Sequence, residues 1–289
     1  MTTADIFEVE KMGHMGAQAP QGPQPLPGIA HVVAVGSGKG GVGKTTIAVN
    51  LAVALGKLGY RVGLLDADIY GPNVPMMLGQ TRQPSIVDGD RIGPLLAHGV
   101  KFISVGLISP GDKPMVMRGP MLHQIIRQFL QQVAWGELDF LIVDLPPGTG
   151  DVVISLVQTV PLTGAIVVST PSDVSLQDAR KAIEMFGQVK VEVIGIVENM
   201  SHFTCPHCQQ VIDIFSSGGA ERLAQQYGLE FLGSVELDPE IRSGGDRGLP
   251  VTLAGEESVI AKPFFEMARK VADRAVQIAG AGEQILEIS

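Results

Sequence analysis

Cysteine is scarce in this chain, which has two in 289 residues, and the pair lies three positions apart. A disulfide framework is therefore excluded, a reducing compartment fits, and a metal or redox role for the pair becomes the question to answer. Aromatic residues are few, at 5%, with a single tryptophan. Positive charge is also short: 21 Lys and Arg stand against 30 Asp and Glu, for a net charge of −9. A phosphate backbone repels such a chain, so we expect no nucleic-acid partner. No apolar run is long enough for a membrane span, and no basic segment followed by an apolar stretch opens the chain. The expectation is a cytoplasmic protein with no membrane partner.

What is abundant is glycine, 36 residues, and ordinary core material, with 45% hydrophobic and 18% charged residues. Residues Met1–Gly28 are rich in Gly, Pro and Gln and carry no helical or strand period, so residues 1–29 read as a flexible tail and 30–289 as the folded domain. His31–Gly36 is a short β-branched run suited to a buried parallel strand. A glycine-rich turn follows. Lys44–Leu58 then has apolar residues at helical spacing and stops at Gly59. Further strands are expected at Arg61–Asp66, Val100–Val105, Phe140–Asp144, Ala165–Ser169, Val193–Glu198 and Phe231–Val235. Further helices are expected at Met121–Val133, at Ser175–Val189 with Ser175 as N-cap, and at Ser258–Ile278. This alternation predicts an α/β protein with a doubly wound, mostly parallel sheet covered by helices on both faces. Two segments break the rhythm, Gly71–Gly99 and Met200–Gly219, and the second holds both cysteines.

The turn after the first strand reads Gly38-Lys39-Gly40-Gly41-Val42-Gly43-Lys44-Thr45, with Thr46 next. It matches G-x-x-x-x-G-K-[ST] between a strand and a helix, the context in which glycine backbone N–H groups and a helix N-terminus cradle phosphates. Lys44 is the expected partner of the β- and γ-phosphates, and the Thr45 hydroxyl of Mg²⁺. A P-loop also needs an acid at the end of a neighbouring strand. Asp144 supplies it after four apolar residues, and Pro146-Pro147-Gly148 would form a segment that senses the γ-phosphate. Asp66 and Asp68, one residue apart at a strand end, can face the same crevice.

Cys205-Pro206-His207-Cys208 offers two thiolates, half of a tetrahedral four-thiolate site. A symmetric dimer would supply the other half. A bridging [4Fe–4S] cluster and a Zn²⁺ ion fit four thiolates equally well by spacing. His202 and His207 could also complete a zinc site within one chain. A redox dithiol is a third reading, although the pair does not open a helix as thioredoxin-like motifs do.

The form G-K-G-G-V-G-K-T resembles the deviant Walker A motif shared by nitrogenase iron protein, MinD, ParA and the Mrp/ApbC proteins. The segments Asp66-Ala-Asp68-Ile-Tyr-Gly-Pro-Asn73, Arg118-Gly-Pro-Met121, Asp144-Leu-Pro-Pro-Gly-Thr-Gly-Asp151, Glu198-Asn199-Met200, Cys205-Pro-His-Cys208 and Gly245-Asp-Arg-Gly-Leu-Pro250 narrow the resemblance to the Mrp/ApbC iron–sulfur cluster carriers. It runs from about His31 to Pro250. It implies a homodimeric ATPase that bridges a [4Fe–4S] cluster between subunits and passes it to apo iron–sulfur proteins. Lys39 would reach the partner's nucleotide, Asp66 would support Mg²⁺, Asp68 would orient the attacking water, Asn199 would bind adenine, and Arg118 would contact phosphate or a partner carboxylate. Many relatives carry a small extra N-terminal domain, and a eukaryotic subgroup an N-terminal cysteine cluster; the first 30 residues here match neither. The competing reading is a ParA- or MinD-like positioning ATPase whose cysteines clamp a structural zinc. Such proteins need a basic face or an amphipathic basic helix. The final helix instead mixes Lys262, Arg269, Lys270 and Arg274 with Glu266 and Asp273, an ordinary solvated face.

Overall fold

The computed structural model describes residues 22–107, 119–148 and 150–286. The β-branched runs form an eight-stranded sheet. Its strands are β1 (Ile29–Gly36), β2 (Val62–Asp66), β5 (Leu95–Ala97), β6 (Val100–Ser104), β7 (Leu138–Asp144), β8 (Gly164–Ser169), β9 (Val193–Asn199) and β12 (Glu230–Val235), in the order β12-β9-β8-β1-β7-β2-β6-β5. Seven strands are parallel, and only β5 at one edge pairs antiparallel, with β6. The central strands are buried along their length because helices cover both faces, as parallel strands require.

Strand alternation sorts the core into two layers. On one face Val33, Val35, Phe140 and Ile142 pack with α1 (Lys44–Lys57) and α8 (Lys262–Leu286). On the other, Val32, Ala34, Leu141 and Val143 pack with α3 (Gly119–Gln132), α4 (Gly150–Thr159), α5 (Asp173–Gln188) and α6 (Gly219–Tyr227). The doubly wound architecture is as the sequence predicts.

The differences have local causes. The α5 helix begins after Ser172, not Ser175. Ser175 lies buried inside its first turn, where its hydroxyl accepts from Thr170 N–H at 3.2 Å and pairs with Ser169 Oγ at 3.1 Å. The α8 helix begins at Lys262, where Pro263 occupies the first turn and its missing N–H leaves no bond unmade; Ser258 accepts from Lys262 N–H at 2.8 Å. Part of the expected tail is docked: Leu26 is buried, and Gln24 N–H donates to Thr159 O at 3.1 Å. Residues 1–21, and with them most of the expected tail, lie outside the described residues, as does Arg118.

The two irregular segments hold small elements that periodicity could not resolve. Between Gly71 and Gly99 are α2 (Val74–Met77) and a hairpin of β3 (Ile86–Val87) and β4 (Arg91–Ile92), ahead of β5. Between Met200 and Gly219 is a second hairpin, of β10 (Phe203–Thr204) and β11 (Val211–Ile212), with both cysteines in its turn. A last short helix, α7 (Pro239–Asp246), follows β12, and Asp238 caps it by accepting from Glu240 N–H at 2.6 Å.

Candidate functional site

The P-loop sits at the carboxyl end of β1, between β7 and β8. Glycine is required in it for reasons that differ from residue to residue. A Cβ at Gly38 would lie 2.0 Å from the Asp178 carbonyl oxygen of α5. Gly43 has φ +79°, and a Cβ there would lie 2.1 Å from Asn199 Nδ2. Val42 is buried in the core and anchors the loop. Gly40 and Gly41 are exposed at its crest, Thr45 and Thr46 are half-buried at the start of α1, and Lys39 is half-buried in the loop.

Sheet register brings the acids to this loop. Asp66 at the end of β2 lies beside Asp144 at the end of β7, and Asp144 lies beside Val35 of β1. Lys44 Nζ is 2.6 Å from Asp144 Oδ1 and 3.6 Å from Asp68 Oδ2. Thr45 Oγ1 donates to Asp144 Oδ2 at 2.7 Å. Asp66 accepts from Ser104 Oγ at 2.7 Å, Asp68 N–H at 3.1 Å and Val74 N–H at 3.3 Å. Five of the expected residues, Lys44, Thr45, Asp66, Asp68 and Asp144, thus form one cluster.

Two fully buried carboxylates lie side by side here, and of the two it is Asp144 that pairs with the Lys44 ammonium. Burial pushes Asp66 up to about 8, and the Asp144 charge adds to the effect. Burial pushes Asp144 up too, but Lys44 and Thr45 pull against it. We place the negative charge on Asp144, which holds the ion pair, and the proton on Asp66. The segment after β7 returns to the P-loop, where Gly148 N–H donates to Ser37 O at 3.0 Å.

Asn199, at the end of β9, lies against the same loop. Its Nδ2 donates to Val42 O at 2.8 Å. Sequence reasoning missed the buried polar residues that brace this region. Glu198 accepts from Gly218 N–H at 2.9 Å and Ala220 N–H at 2.8 Å, so it fixes the start of α6. Its signal was available: a carboxylate closing the apolar run Val193–Val197 needs buried donors. Asn50 on α1 donates to Thr46 O and accepts from Thr252 N–H and Oγ. Ser104 carried no sequence signal, because its role depends on β6 lying next to β2.

The cysteines stand apart from this cluster on the β10–β11 hairpin. Cys205 N–H donates to Gln210 O at 3.0 Å, and Gln209, with φ +59°, donates back to Cys205 O at 2.9 Å. Cys208 is exposed and Cys205 half-buried. Backbone N–H groups of Cys208 and then His207 point at the Cys205 sulfur and hold its thiol below the usual range. The hairpin does not form a complete metal site by itself. No group of three or more His, Cys, Asp and Glu able to hold a metal occurs among the described residues. His202 is engaged elsewhere, with Nε2 3.0 Å from Glu236 Oε1 and Nδ1 3.0 Å from Ser201 Oγ. The single-chain zinc site is therefore not assembled.

A parallel sheet carrying a phosphate loop on its central strand, with acids at the ends of the next two strands on one side, defines a P-loop NTPase. The family model for the NUBPL iron-transfer P-loop NTPases, of the ParA group, matches residues 28–272, and the chain belongs to that family. A relative from Deinococcus radiodurans named iron-sulfur cluster carrier protein is 54% identical over 89% of this chain and 73% of its own length. One from Arabidopsis thaliana, named iron-sulfur protein required for NADH dehydrogenase, mitochondrial, is 46% identical over 85% of this chain and 79% of its own. Among solved structures, a nucleotide-binding protein from Archaeoglobus fulgidus in complex with ADP is 39% identical, with a TM-score of 0.68 over 77% of this chain and 88% of its own. MinD from Pyrococcus furiosus shares the fold, with a TM-score of 0.64 at 23% identity over 84% of this chain and 99% of its own. The motif-based resemblance and these relatives point to the same branch of P-loop NTPases.

Proposed function

We propose that this chain is an ATP-hydrolysing carrier that takes a [4Fe–4S] cluster as cargo between two copies of itself and passes it to apo iron–sulfur proteins in the cytoplasm. The observation that carries this reading is the cysteine turn, which offers two thiols and finds no third ligand among the described residues. A second copy related by a two-fold axis completes a four-thiolate set. Val211, Ile212, Ile214 and Phe215 are all exposed on the same hairpin and the residues after it. Large apolar side chains beside a half-site suit a surface that a partner covers. The names of the relatives favour a cluster over zinc as the cargo.

The nucleotide site has a role for each residue. The loop from Gly38 to Thr46 wraps the phosphates, Lys44 neutralises them, and Lys39 extends toward the nucleotide of the partner. Asn199 contacts the adenine. Thr45, Asp66 and Asp144 would hold Mg²⁺, with Asp66 giving up its proton to solvent as the cation binds, and the fit is sound because these neighbouring side chains present only oxygen donors. Mg²⁺, when bound, offsets charge on the phosphate oxygens. Lys44 would exchange its Asp144 partner for phosphate on nucleotide binding, which would free Asp144 as an oxygen ligand. Asp68 orients the attacking water, since phosphoryl transfer depends on positioning more than on proton removal.

Iron, sulfide and zinc content with an absorption spectrum, on protein reconstituted without oxygen, tests the cargo. About four iron and four sulfide per dimer are expected, and their loss in Cys205→Ala. Zinc without sulfide, persisting after reconstitution, would reject the carrier reading in favour of a zinc-clamped positioning ATPase.

A further inference from the structure

The phosphate loop and the cysteine hairpin are separate sites, yet only three residues separate Asn199 from β10. Each of residues 198–202 is held. Glu198, 1% exposed, grips the start of α6 beyond the far end of the hairpin through Gly218 and Ala220. Asn199 donates to Val42 O of the loop. Met200 adopts φ +57°, a left-handed conformation that an unbranched L-residue enters only when its surroundings force it. Its Cε would lie 3.7 Å from a Cβ built on Gly43. Ser201 donates from N–H and Oγ to Val235 O at 3.0 and 3.2 Å. The His202 carbonyl accepts from Leu237 N–H at 2.8 Å. Glu236 then spans the root of the hairpin, with one oxygen 3.0 Å from His202 Nε2 and the other accepting from Thr204 Oγ1 at 3.1 Å. Thr204 directly precedes Cys205.

We propose that residues 198–202 are a stiff link through which the position of the phosphate loop sets the position of the thiols, with Glu198 and Glu236 as positioning residues for Cys205 and Cys208. This rests on the reading that the loop binds nucleotide and the thiols take cargo. The physical reason is geometric. A loop that closes on phosphate moves Val42 and Gly43; Asn199 lies against both, and the Met200 side chain lies beside Gly43. The chain beyond them has no slack, because the Ser201, His202 and Glu236 contacts tie it to the end of β12. Local strain at Met200 makes the link responsive, since a small change in its contacts releases the left-handed conformation.

The test reads the thiols directly and needs no cluster. Reduced, metal-free protein is alkylated with iodoacetamide, with and without Mg²⁺ and a non-hydrolysable ATP analogue, and each cysteine is followed by mass spectrometry. Nucleotide is expected to change the rate by about fivefold or more, the lower end of ordinary coupling between sites. Met200→Gly relaxes the link and Glu236→Ala frees the hairpin root. In both, the thiols should react at the same rate with and without nucleotide while ATP turnover stays native. Glu236→Gln, which keeps a hydrogen bond to Thr204, should restore part of the response. The two substitutions act at different points, so misfolding of one leaves the other as the test. Native thiols indifferent to nucleotide, or variants that keep the full native response, overturn the link. Nucleotide-sensitive thiols in a protein that never loads iron and sulfide keep the link and discard the carrier reading. A loaded cluster on thiols that ignore nucleotide does the reverse.

Discussion

Asp66 and Asp68 lie two positions apart, yet they have different physics. Asp66 is fully buried, and burial together with the Asp144 charge raises it from the ordinary 3.8 to about 8. Between those values the unfolded carboxyl is ionised while the folded one keeps its proton, so the folded state binds more protons and stability falls as pH rises. The nucleotide-free protein should therefore have a thermal midpoint that drops from about pH 4 toward about pH 8 through this group. Asp66→Asn should flatten the decline, and differential scanning fluorimetry across that range checks it. Asp68 stays beside the Lys44 ammonium at the rim of the cluster. Asp68→Ala should bind ATP normally and hydrolyse it on the order of a hundredfold more slowly, as loss of a group that positions the nucleophile does. Single-turnover kinetics alongside an equilibrium binding assay would separate the two effects, and native turnover would reject the role.

Among the elements, β9 joins the nucleotide side of the molecule to the cysteine side. Glu198 closes it and satisfies two N–H groups at the start of α6, a helix that has no side-chain cap from Gly218. Glu198→Ala would strand both donors. The expected cost is about 3 kcal/mol in urea unfolding, the range for losing charge-assisted bonds at a buried site. A cost within the scatter of surface substitutions would mean that water or another group takes over. The elements most legible in the sequence were those with a long apolar period, such as α1 and β7. The two hairpins were not legible, because two-residue strands are shorter than the period that would announce them, and their pairing is set by what they rest against. The misplaced α5 cap has a similar cause. Ser172 and Ser175 look alike locally, and packing against Ser169 and Thr170 puts the second inside the helix.

At the scale of the whole molecule, each copy carries a net charge of −9. In the proposed dimer two such copies would repel before their apolar hairpins met, and salt screens that repulsion over a Debye length of about 8–10 Å at physiological strength. If the proposed dimer forms, its association should therefore tighten as salt rises from about 50 to 500 mM. Sedimentation equilibrium at several salt concentrations checks this, and weakening with salt would mean that complementary charge, not apolar cover, holds the copies together. No helix among the described residues is long and apolar enough to cross a membrane.

By itself the sequence determined the doubly wound sheet, the phosphate loop and the isolation of a cysteine pair. Each is encoded locally, in an apolar period, a glycine spacing or a pair of thiols, and local patterns survive without knowledge of neighbours. Only the tertiary structure decided that burial and the neighbouring Asp144 raise the Asp66 carboxyl well above its ordinary range, since that follows from β2 and β7 lying side by side with both acids at their ends. It also decided that His202 serves Glu236 and not the thiols, and that Asn199 braces the loop while its chain neighbours reach toward Cys205. Burial and strand order set these outcomes, and neither is a property of any segment taken alone.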